Sequence, residues 1–363
     1  MIAASLLAAF LHIPPPPPPP GRSADRPLLS WSAGPISCDD GAVTALALEQ
    51  PTGALLWSDG ETRAPVTLRF TIDPSGRPVS IHHAKPESGP PSTDFAPALA
   101  ASRFPAGAPQ RGCAVTYTPT ILPVTEAPVA DLIAYTLAPD NGPMPQAGWD
   151  RIRLPGTCLD SPRPAPLLRA LPDFSRIPAT PGARDWAMVR YDTGAGGRPR
   201  RARVSFGTGN VTLGAAAVKA IVDSRFTGGA RTGCQYPFRL RAGLLVAPEM
   251  PAAMRAANDG PNCPHRPGFT TPPRLIFPEA YRRRMIEGWA VVRYDVASWG
   301  EIGNLSVVAA EPSDDFGAQA MTVMRSAALP VSERGLIGCV DRVRFVMGPD
   351  DMPSQDGAPK PIY

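Results

Sequence analysis

The cysteines of this chain stand in a register that repeats three times. Arg69, Arg190 and Arg293 are each followed by a cysteine, 44, 44 and 46 residues later. A second cysteine precedes the same arginines by 31, 32 and 30 residues. Together these positions account for all six cysteines of the chain: Cys38, Cys113, Cys158, Cys234, Cys263 and Cys339. The register predicts that one unit is present in three tandem copies.

The residues around the arginines keep the same register. Trp186-Ala187 and Arg190-Tyr191-Asp192 match Trp289-Ala290 and Arg293-Tyr294-Asp295, and Leu68-Arg69-Phe70-Thr71 is a more divergent version. Each copy has the pattern of strand, turn, strand, helix and strand. The sequence therefore predicts an α+β fold of three tandem small two-layer domains. Each is expected to be a β-β-α-β unit with an antiparallel sheet packed on one helix.

The first core strand of each unit is expected to have two different faces. In the first copy Val66, Leu68, Phe70 and Ile72 alternate with polar residues, as in a half-buried strand. The arginines fall on the opposite face, so we expect Arg69, Arg190 and Arg293 to meet solvent or a partner. Thr93 or Asp94 is expected to cap the first helix, and Thr212 the second.

The separation between the two cysteines of a unit is 75, 76 and 76 residues. Six cysteines permit fifteen pairings, of which the triplication favours Cys38–Cys113, Cys158–Cys234 and Cys263–Cys339. The chain-entropy model gives each of these long loops about 4 kcal/mol of stabilisation. Disulfides would imply an oxidising compartment.

Two other uses of the cysteines remain open. Zinc binding is disfavoured because the chain has no Cys-x-x-Cys and only four histidines. Six buried free thiols in a cytosolic protein would be the other possibility.

Composition shifts divide the chain into eight parts. Proline is very frequent, at 48 residues, and seven prolines are consecutive at 14–20, which predicts a stiff extended spacer. The apolar run at the N-terminus is shorter than the roughly 20 residues that a bilayer requires, and it fits the core of a signal peptide. The predicted parts are a signal-peptide-like segment 1–13, a proline-rich spacer 14–33, unit 1 at 34–122, a linker 123–150, unit 2 at 151–245, a linker 246–260, unit 3 at 261–347 and a flexible tail 348–363.

The sequence lacks the common motifs of catalytic sites. The chain has no Gly-x-Ser-x-Gly, no phosphate-binding Gly-Lys-Ser/Thr loop and no His-Glu-x-x-His. His82-His83 has no counterpart in the other units, His265 beside Cys263 is expected to fill a turn, and Gly194-Ala195-Gly196-Gly197 falls between two strands. We therefore expect no enzyme activity, no cofactor and no metal site.

Basic clusters are the remaining candidates for binding. Arg198, Arg200, Arg201 and Arg203 could contact an anionic envelope component such as lipopolysaccharide, or they could form a solvated face. Arg282-Arg283-Arg284, on a short predicted helix, is expected at the surface. The net charge of +4 does not call for a nucleic-acid partner.

Unit 3 resembles the C-terminal domain of TonB-type energy transducers. That family has an aromatic-Pro pair, a basic stretch leading to Glu-Gly, an alternating strand, a glycine turn, a second strand and an acidic residue that opens a helix. The matching residues here are Phe277-Pro278, Arg282-Arg283-Arg284, Glu287-Gly288, Val291 to Tyr294, Gly300 and Asp314-Asp315. The family pattern differs at Tyr281, Met285 and Ala327-Ala328-Leu329. Units 1 and 2 keep the Arg-Phe ending, as Arg103-Phe104 and Arg225-Phe226.

The resemblance implies a periplasmic, non-enzymatic binding module, secreted across the inner membrane and linked to TonB-dependent transport. In the family, an exposed sheet edge accepts an extended peptide of an outer-membrane transporter as an additional strand. An envelope protein or such a transporter peptide is thus the expected partner. An N-terminal membrane tether is possible, but the length of the N-terminal segment does not support it. The expected partner-binding residues are Phe277, Pro278, Arg293, Arg190 and Arg69.

Two alternatives stay open at this point. The chain could be a disulfide-locked structural spacer of the envelope, which covered edges on every third strand would favour. It could also be an enzyme with an unrecognised site, which would require a deep polar cleft lined by acids of perturbed pKa.

Overall fold

The computed structural model describes five ranges of residues: 26–58, 60–85, 94–260, 262–263 and 268–348. Over these residues the fold is mixed α+β, with several small antiparallel sheets and seven α-helices. The signal-peptide-like segment, the seven prolines, Thr93, His265 and the tail beyond Gly348 lie outside the described residues.

The first sheet contains seven strands. They are β1 (Leu28–Ala33), β2 (Ile36–Cys38), β3 (Gly41–Val43), β4 (Leu56–Trp57), β5 (Val66–Ile72), β6 (Pro78–His83) and β7 (Gln110–Leu122). The order is β3-β2-β7-β1-β4, and β5 pairs with both β7 and β6. Helix α1 (Phe95–Ala101) is buried along its whole length and shares a core with Leu68 and Phe70. Its first turn lacks a side-chain cap, because the Asp94 carboxylate accepts from Gly53 N instead.

The second sheet has the order β10-β9-β12, with a separate β8–β11 pair. The strands of the sheet are β9 (Trp186–Thr193), β10 (Pro199–Gly207) and β12 (Arg231–Arg239), and those of the separate pair are β8 (Pro166–Leu168) and β11 (Arg225–Phe226). Helix α4 (Val211–Asp223) packs Leu213, Ala217 and Ile221 against the sheet. Asn210 caps this helix through Leu213 N, so the expectation that Thr212 would be the cap was wrong. Both residue types are good caps, and the sequence alone does not choose between them.

The third sheet has the order β14-β13-β15. Its strands are β13 (Gly288–Val296), β14 (Ile302–Glu311) and β15 (Leu336–Phe345). The short helix α6 (Glu279–Arg283) precedes the sheet, and helix α7 (Asp314–Arg325) covers one of its faces. Ser313 caps α7 by accepting from Asp315 N.

Three disulfides join Cys38 to Cys113, Cys158 to Cys234 and Cys263 to Cys339. These are the three pairs that the triplicated register favours. In each pair the second cysteine lies in the last strand of a sheet, in β7, β12 or β15. Cys38 lies in β2 of the first sheet, whereas Cys158 and Cys263 lie on the chain that precedes the second and third sheets. Three disulfides are consistent with a location outside the cytoplasm.

Residues 123–150, predicted as a linker, contain helix α2 (Val129–Leu137) and most of helix α3 (Gln146–Ile152). Ile133 and Tyr135 of α2 are buried with Trp186 and Met188, which lie on the face of β9 that α4 does not cover. Half of that face is therefore core, whereas the sequence pattern predicted that it would meet solvent or a partner.

Residues 246–260, also predicted as a linker, cover the third sheet in the same way. Met250 is buried with Trp289, Val291 and Val340, and helix α5 (Ala252–Arg255) lies in this segment. The Trp289 indole donates from Nε1 to Pro248 O at 2.8 Å. Residues 246–260 thus cover the apolar face of the third sheet that α7 does not cover.

The first and third sheets share one core. Ile81 and Phe95 belong to the same buried cluster as Tyr281 and Phe316. Ile81 N donates to Pro312 O at 3.0 Å, so the backbone of β6 also contacts the segment between β14 and α7.

Candidate functional site at the open sheet edges

Strands β10 and β14 are the outermost strands of the second and third sheets. Apart from pairing with β9 and β13, no backbone–backbone hydrogen bond joins residues 199–206 or 303–309 to another described segment. An uncovered strand edge presents a row of N–H and C=O groups that an additional strand can pair with. These two edges are therefore candidate peptide-binding sites.

The last strands of the sheets are covered to different extents. β7 lies inside the first sheet, between β1, β2 and β5. The outer side of β15 is occupied by the segment before unit 3: Gly260 N donates to Gly338 O at 2.8 Å, and Val340 N to Asp259 Oδ1 at 2.7 Å. On β12, Cys158 N donates to Thr232 O at 3.0 Å. Over residues 199–206 of β10 and 303–309 of β14, no described segment makes such a backbone contact.

A bulge interrupts β6, β10 and β14 at the same place relative to the preceding strand. Ser80, Arg201 and Asn304 each lie 11 residues after Arg69, Arg190 and Arg293, and they have φ values of 52°, 54° and 49°. The strand register shifts at all three positions. Left-handed non-glycine residues are uncommon, and a bulge commonly re-aims a strand edge.

The bulge of β6 is occupied by another part of the chain. Ser80 donates from its backbone N and from Oγ to the two carboxylate oxygens of Glu311, both at 2.7 Å. The next N–H, of Ile81, donates to Pro312 O. Burial raises the pKa of Glu311, and the hydrogen bonds from Ser80 counteract part of that rise.

The bulge of β10 is surrounded by positive charge. Arg198, Arg200 and Arg203 are exposed, and of the four arginines at 198–203 only Arg201 pairs with a carboxylate among the described residues, with Nε 2.8 Å from Asp192 Oδ2. The corresponding stretch of β14 carries no Lys or Arg.

The five residues expected to bind a partner are distributed over all three sheets. Arg69 and Arg293 are exposed and Arg190, which pairs across the strands with Arg203, is half-buried. The half-buried ring of Phe277 packs at right angles on Phe316 and Phe345, with centroids 6.2 and 5.7 Å apart. Pro278 comes directly before α6. Phe277 is thus engaged within the third sheet's own core.

Arg284 was expected at the surface, and this expectation was wrong. Its side chain is fully buried, with Nε and Nη2 donating to Asp94, the latter at 2.6 Å. Nη2 also donates to Gln50 O at 2.7 Å, and Nη1 to Gly182 O at 3.3 Å. Nη1 lies 3.5 Å from a carboxylate oxygen of Glu49. One guanidinium therefore links the segment before β13 with the segment before β9 and with two segments that lie between strands of the first sheet.

A second buried polar cluster involves Tyr281, Ser313 and Asp315. The Tyr281 hydroxyl donates to Asp315 Oδ2 at 2.8 Å and contacts Ser313 Oγ. Burial raises the pKa of both Tyr281 and Asp315. Tyr281 and Ser313 are each 1% exposed, whereas Asp315 is half-buried, so the two hydroxyl groups are out of reach of a substrate.

Two other features offer little room for chemistry. A cavity of about 20 Å³ beside Cys158 and Cys234 has room for a single water. Asp259 lies within 4.8 Å of the Cys263 and Cys339 sulfurs, but those sulfurs are joined to each other and are not thiolates that could bind a metal.

No helix in the described part of the chain is both long and apolar enough to cross a membrane. No protein-family model matches the sequence, and no curated protein matches it either. The edges of β10 and β14 are the candidate peptide-binding sites of the described structure.

Proposed function

We propose that this chain is a periplasmic, non-enzymatic binding protein made of three tandem modules that resemble the TonB C-terminal domain. It binds an envelope protein, or an extended segment of an outer-membrane transporter, by adding that segment as a strand to a sheet edge. The observation that carries this proposal is the uncovered outer side of β10 and β14.

Repeated local contacts support the tandem β-β-α-β arrangement. Seven residues after Arg69, Arg190 and Arg293 stands a turn glycine. Its carbonyl accepts a hydrogen bond, at 2.9, 3.0 and 2.9 Å, from the backbone of a residue that comes shortly after the helix. All three glycines have positive φ. The pairs of donor and glycine are Phe104 and Gly76, Phe226 and Gly197, and Leu329 and Gly300. Leu329 thus occupies the place of the phenylalanine that ends the helix in units 1 and 2.

The three disulfides support the periplasmic part of the proposal, because such bonds persist in oxidising compartments. The similarity of unit 3 to TonB-type transducers supports a link with TonB-dependent transport. β-Augmentation needs no catalytic group, since backbone hydrogen bonds provide the affinity.

The test is capture from an envelope extract with the full chain and with an edge-blocked variant. Ala202→Pro and Leu305→Pro together remove the two N–H groups that correspond to that of Ile81, which faces outward in β6. We expect the unmodified chain to capture at least one envelope protein that the double variant, shown to be folded by near-UV circular dichroism, does not. Equal capture by both forms, or no capture by either, would contradict the proposal.

A structural spacer of the envelope is the second candidate. The covered state of β7 and β15 and the core shared by the first and third sheets favour it. For a spacer, the edge-blocked variant would restore a deletion strain as well as the unmodified chain does. A binding protein requires the two to differ.

A further inference from the structure

We propose that the edge of β10 is selective for an acidic extended peptide. A carboxylate of the peptide binds at the bulge formed by Arg201 and Ala202. The carbonyl of the peptide's next residue accepts from Ala202 N. This inference rests on the proposed function and specifies the partner of one of its two edges.

The contact between β6 and the third sheet provides the template. There a glutamate carboxylate, that of Glu311, receives both hydrogen bonds of the bulge residue Ser80. The carbonyl of the following residue, Pro312, receives the hydrogen bond of Ile81 N. The chain thus shows one complete way of filling such a bulge: an acidic residue followed by a backbone acceptor.

The bulge of β10 has the same register as that of β6. In the first sheet Thr71 pairs with Val79 and Arg69 with His82, which leaves residues 80 and 81 between the pairs. In the second sheet Asp192 pairs with Arg200 and Arg190 with Arg203, which leaves residues 201 and 202. Ser80 and Arg201 are both left-handed, with φ of 52° and 54°. The two N–H groups that hold Glu311 and Pro312 on β6 therefore have counterparts on β10.

The charges around the bulge of β10 favour an anion. Arg198, Arg200 and Arg203 lie on or beside the strand and are exposed. The acid of the neighbouring strand, Asp192, is already engaged by Arg201 and by Gly233 N. A carboxylate that arrives at the bulge meets guanidinium groups that can hold it through two parallel hydrogen bonds.

The edge of β14 has the same bulge without the charge. Asn304 is left-handed and donates from Nδ2 to Asp295 Oδ2 at 2.8 Å, as Arg201 does to Asp192. No Lys or Arg lies between residues 301 and 309. β14 therefore serves as an internal control, an edge of the same geometry from which we expect little preference for acidic peptides.

The experiment uses the full chain and three fluorescein-labelled hexapeptides, Val-Thr-X-Val-Thr-Val with Glu, Gln or Lys at X. Fluorescence anisotropy should show the Glu peptide binding about tenfold more tightly than the Gln peptide, as one charge-assisted contact would give. The Lys peptide should bind most weakly. The Arg200→Glu/Arg203→Glu variant should lose the preference for Glu.

Two matched controls accompany this variant. Arg325→Glu/Arg334→Glu alters two exposed arginines elsewhere with the same change in net charge, and it should keep the preference. Ala202→Pro should weaken binding of the Glu peptide, whereas Leu305→Pro on β14 should leave that binding unchanged. If Ala202→Pro does not fold, the charge-reversal pair still decides the outcome.

Equal binding of the Glu and Gln peptides, or a preference that survives Arg200→Glu/Arg203→Glu, would overturn this inference and leave edge binding intact. Absence of binding by all three peptides would overturn the inference but not the proposed function, which the envelope capture tests separately. Lipopolysaccharide micelles form the last arm. If they bind through the arginines, ignore Ala202→Pro and displace the Glu peptide, the site recognises an anionic surface and not a strand, and the inference fails.

Discussion

Arg284 shows how far a single side chain can depart from what its sequence neighbourhood predicts. It follows two other arginines, and Arg282 and Arg283 are exposed as expected, each paired with Glu279. The partners of Arg284 are separated from it by 190 and 234 residues. Because nothing near it in the chain requires burial, only the packing of distant segments places it in the core.

Removal of either member of the buried pair should destabilise the fold strongly. We expect Arg284→Met or Asp94→Asn to lower the free energy of unfolding by about 3–5 kcal/mol, because each leaves an uncompensated buried group. Arg282→Met is the control, since its partner is half exposed and such surface pairs contribute about 1 kcal/mol at most. Urea unfolding of the three variants measures the difference, and an Arg284→Met no more costly than Arg282→Met would contradict the assigned role.

Asp315 should make the stability depend on pH. Burial raises its pKa in the folded state, and the hydrogen bond from Tyr281 offsets part of that rise. The folded protein therefore holds this proton at pH values where the unfolded chain, with an ordinary Asp pKa of about 3.9, has lost it. The stability that the protonated carboxyl contributes is present at low pH and is lost as the pH rises through the folded pKa.

Asp315→Asn removes this titration and keeps an acceptor for the Tyr281 hydroxyl. We expect the free energy of unfolding of the variant, relative to the unmodified chain, to rise between about pH 3 and about pH 7. Urea unfolding at both pH values measures the change. A constant difference between the two proteins would show that the Asp315 carboxyl titrates alike in the folded and unfolded states.

At the scale of elements, the turns that lead into β6, β10 and β14 each contain a glycine of positive φ, which is Gly76, Gly197 or Gly300. A Cβ at Gly197 would lie 1.8 Å from Phe226 O, and its φ is +69°, whereas a Cβ at the preceding Gly196 meets nothing within 4 Å. We expect Gly197→Ala to cost at least about 2 kcal/mol of unfolding free energy through strain and displacement of the helix exit.

Gly196→Ala is the matched control and should change the free energy of unfolding by no more than about 0.5 kcal/mol, as surface substitutions usually do. Thermal and urea unfolding of both variants would make the comparison. Similar losses from the two substitutions would mean that the contact with Phe226 O does not govern this turn.

The sequence predicts strands better than it predicts what covers them. The alternation of Leu68, Phe70 and Ile72 indicates β5, and the structure buries all three. It does not reveal α2, because the apolar residues Leu132, Ile133 and Tyr135 form one short face amid prolines and turn residues. That face forms a core only by packing against Trp186 and Met188, which are distant in the chain.

At the scale of the whole molecule, the repeat predicts three equal units, but the three sheets pack unequally. Contact between the first and third sheets buries Ile81 and Tyr281 in one core and fills the bulge of β6. The matching bulges of β10 and β14 remain uncovered. The sequence could locate the corresponding strands, but not which edges stay open, because that depends on surfaces that meet only in the folded chain.

The central claim is that one module, closed by its own disulfide, occurs three times. Peptide mapping by mass spectrometry under non-reducing conditions tests it most directly. The account predicts three linked peptide pairs that contain Cys38 with Cys113, Cys158 with Cys234 and Cys263 with Cys339, and no free thiol. A linkage between cysteines of different modules, or six alkylated free cysteines in freshly isolated protein, would contradict it.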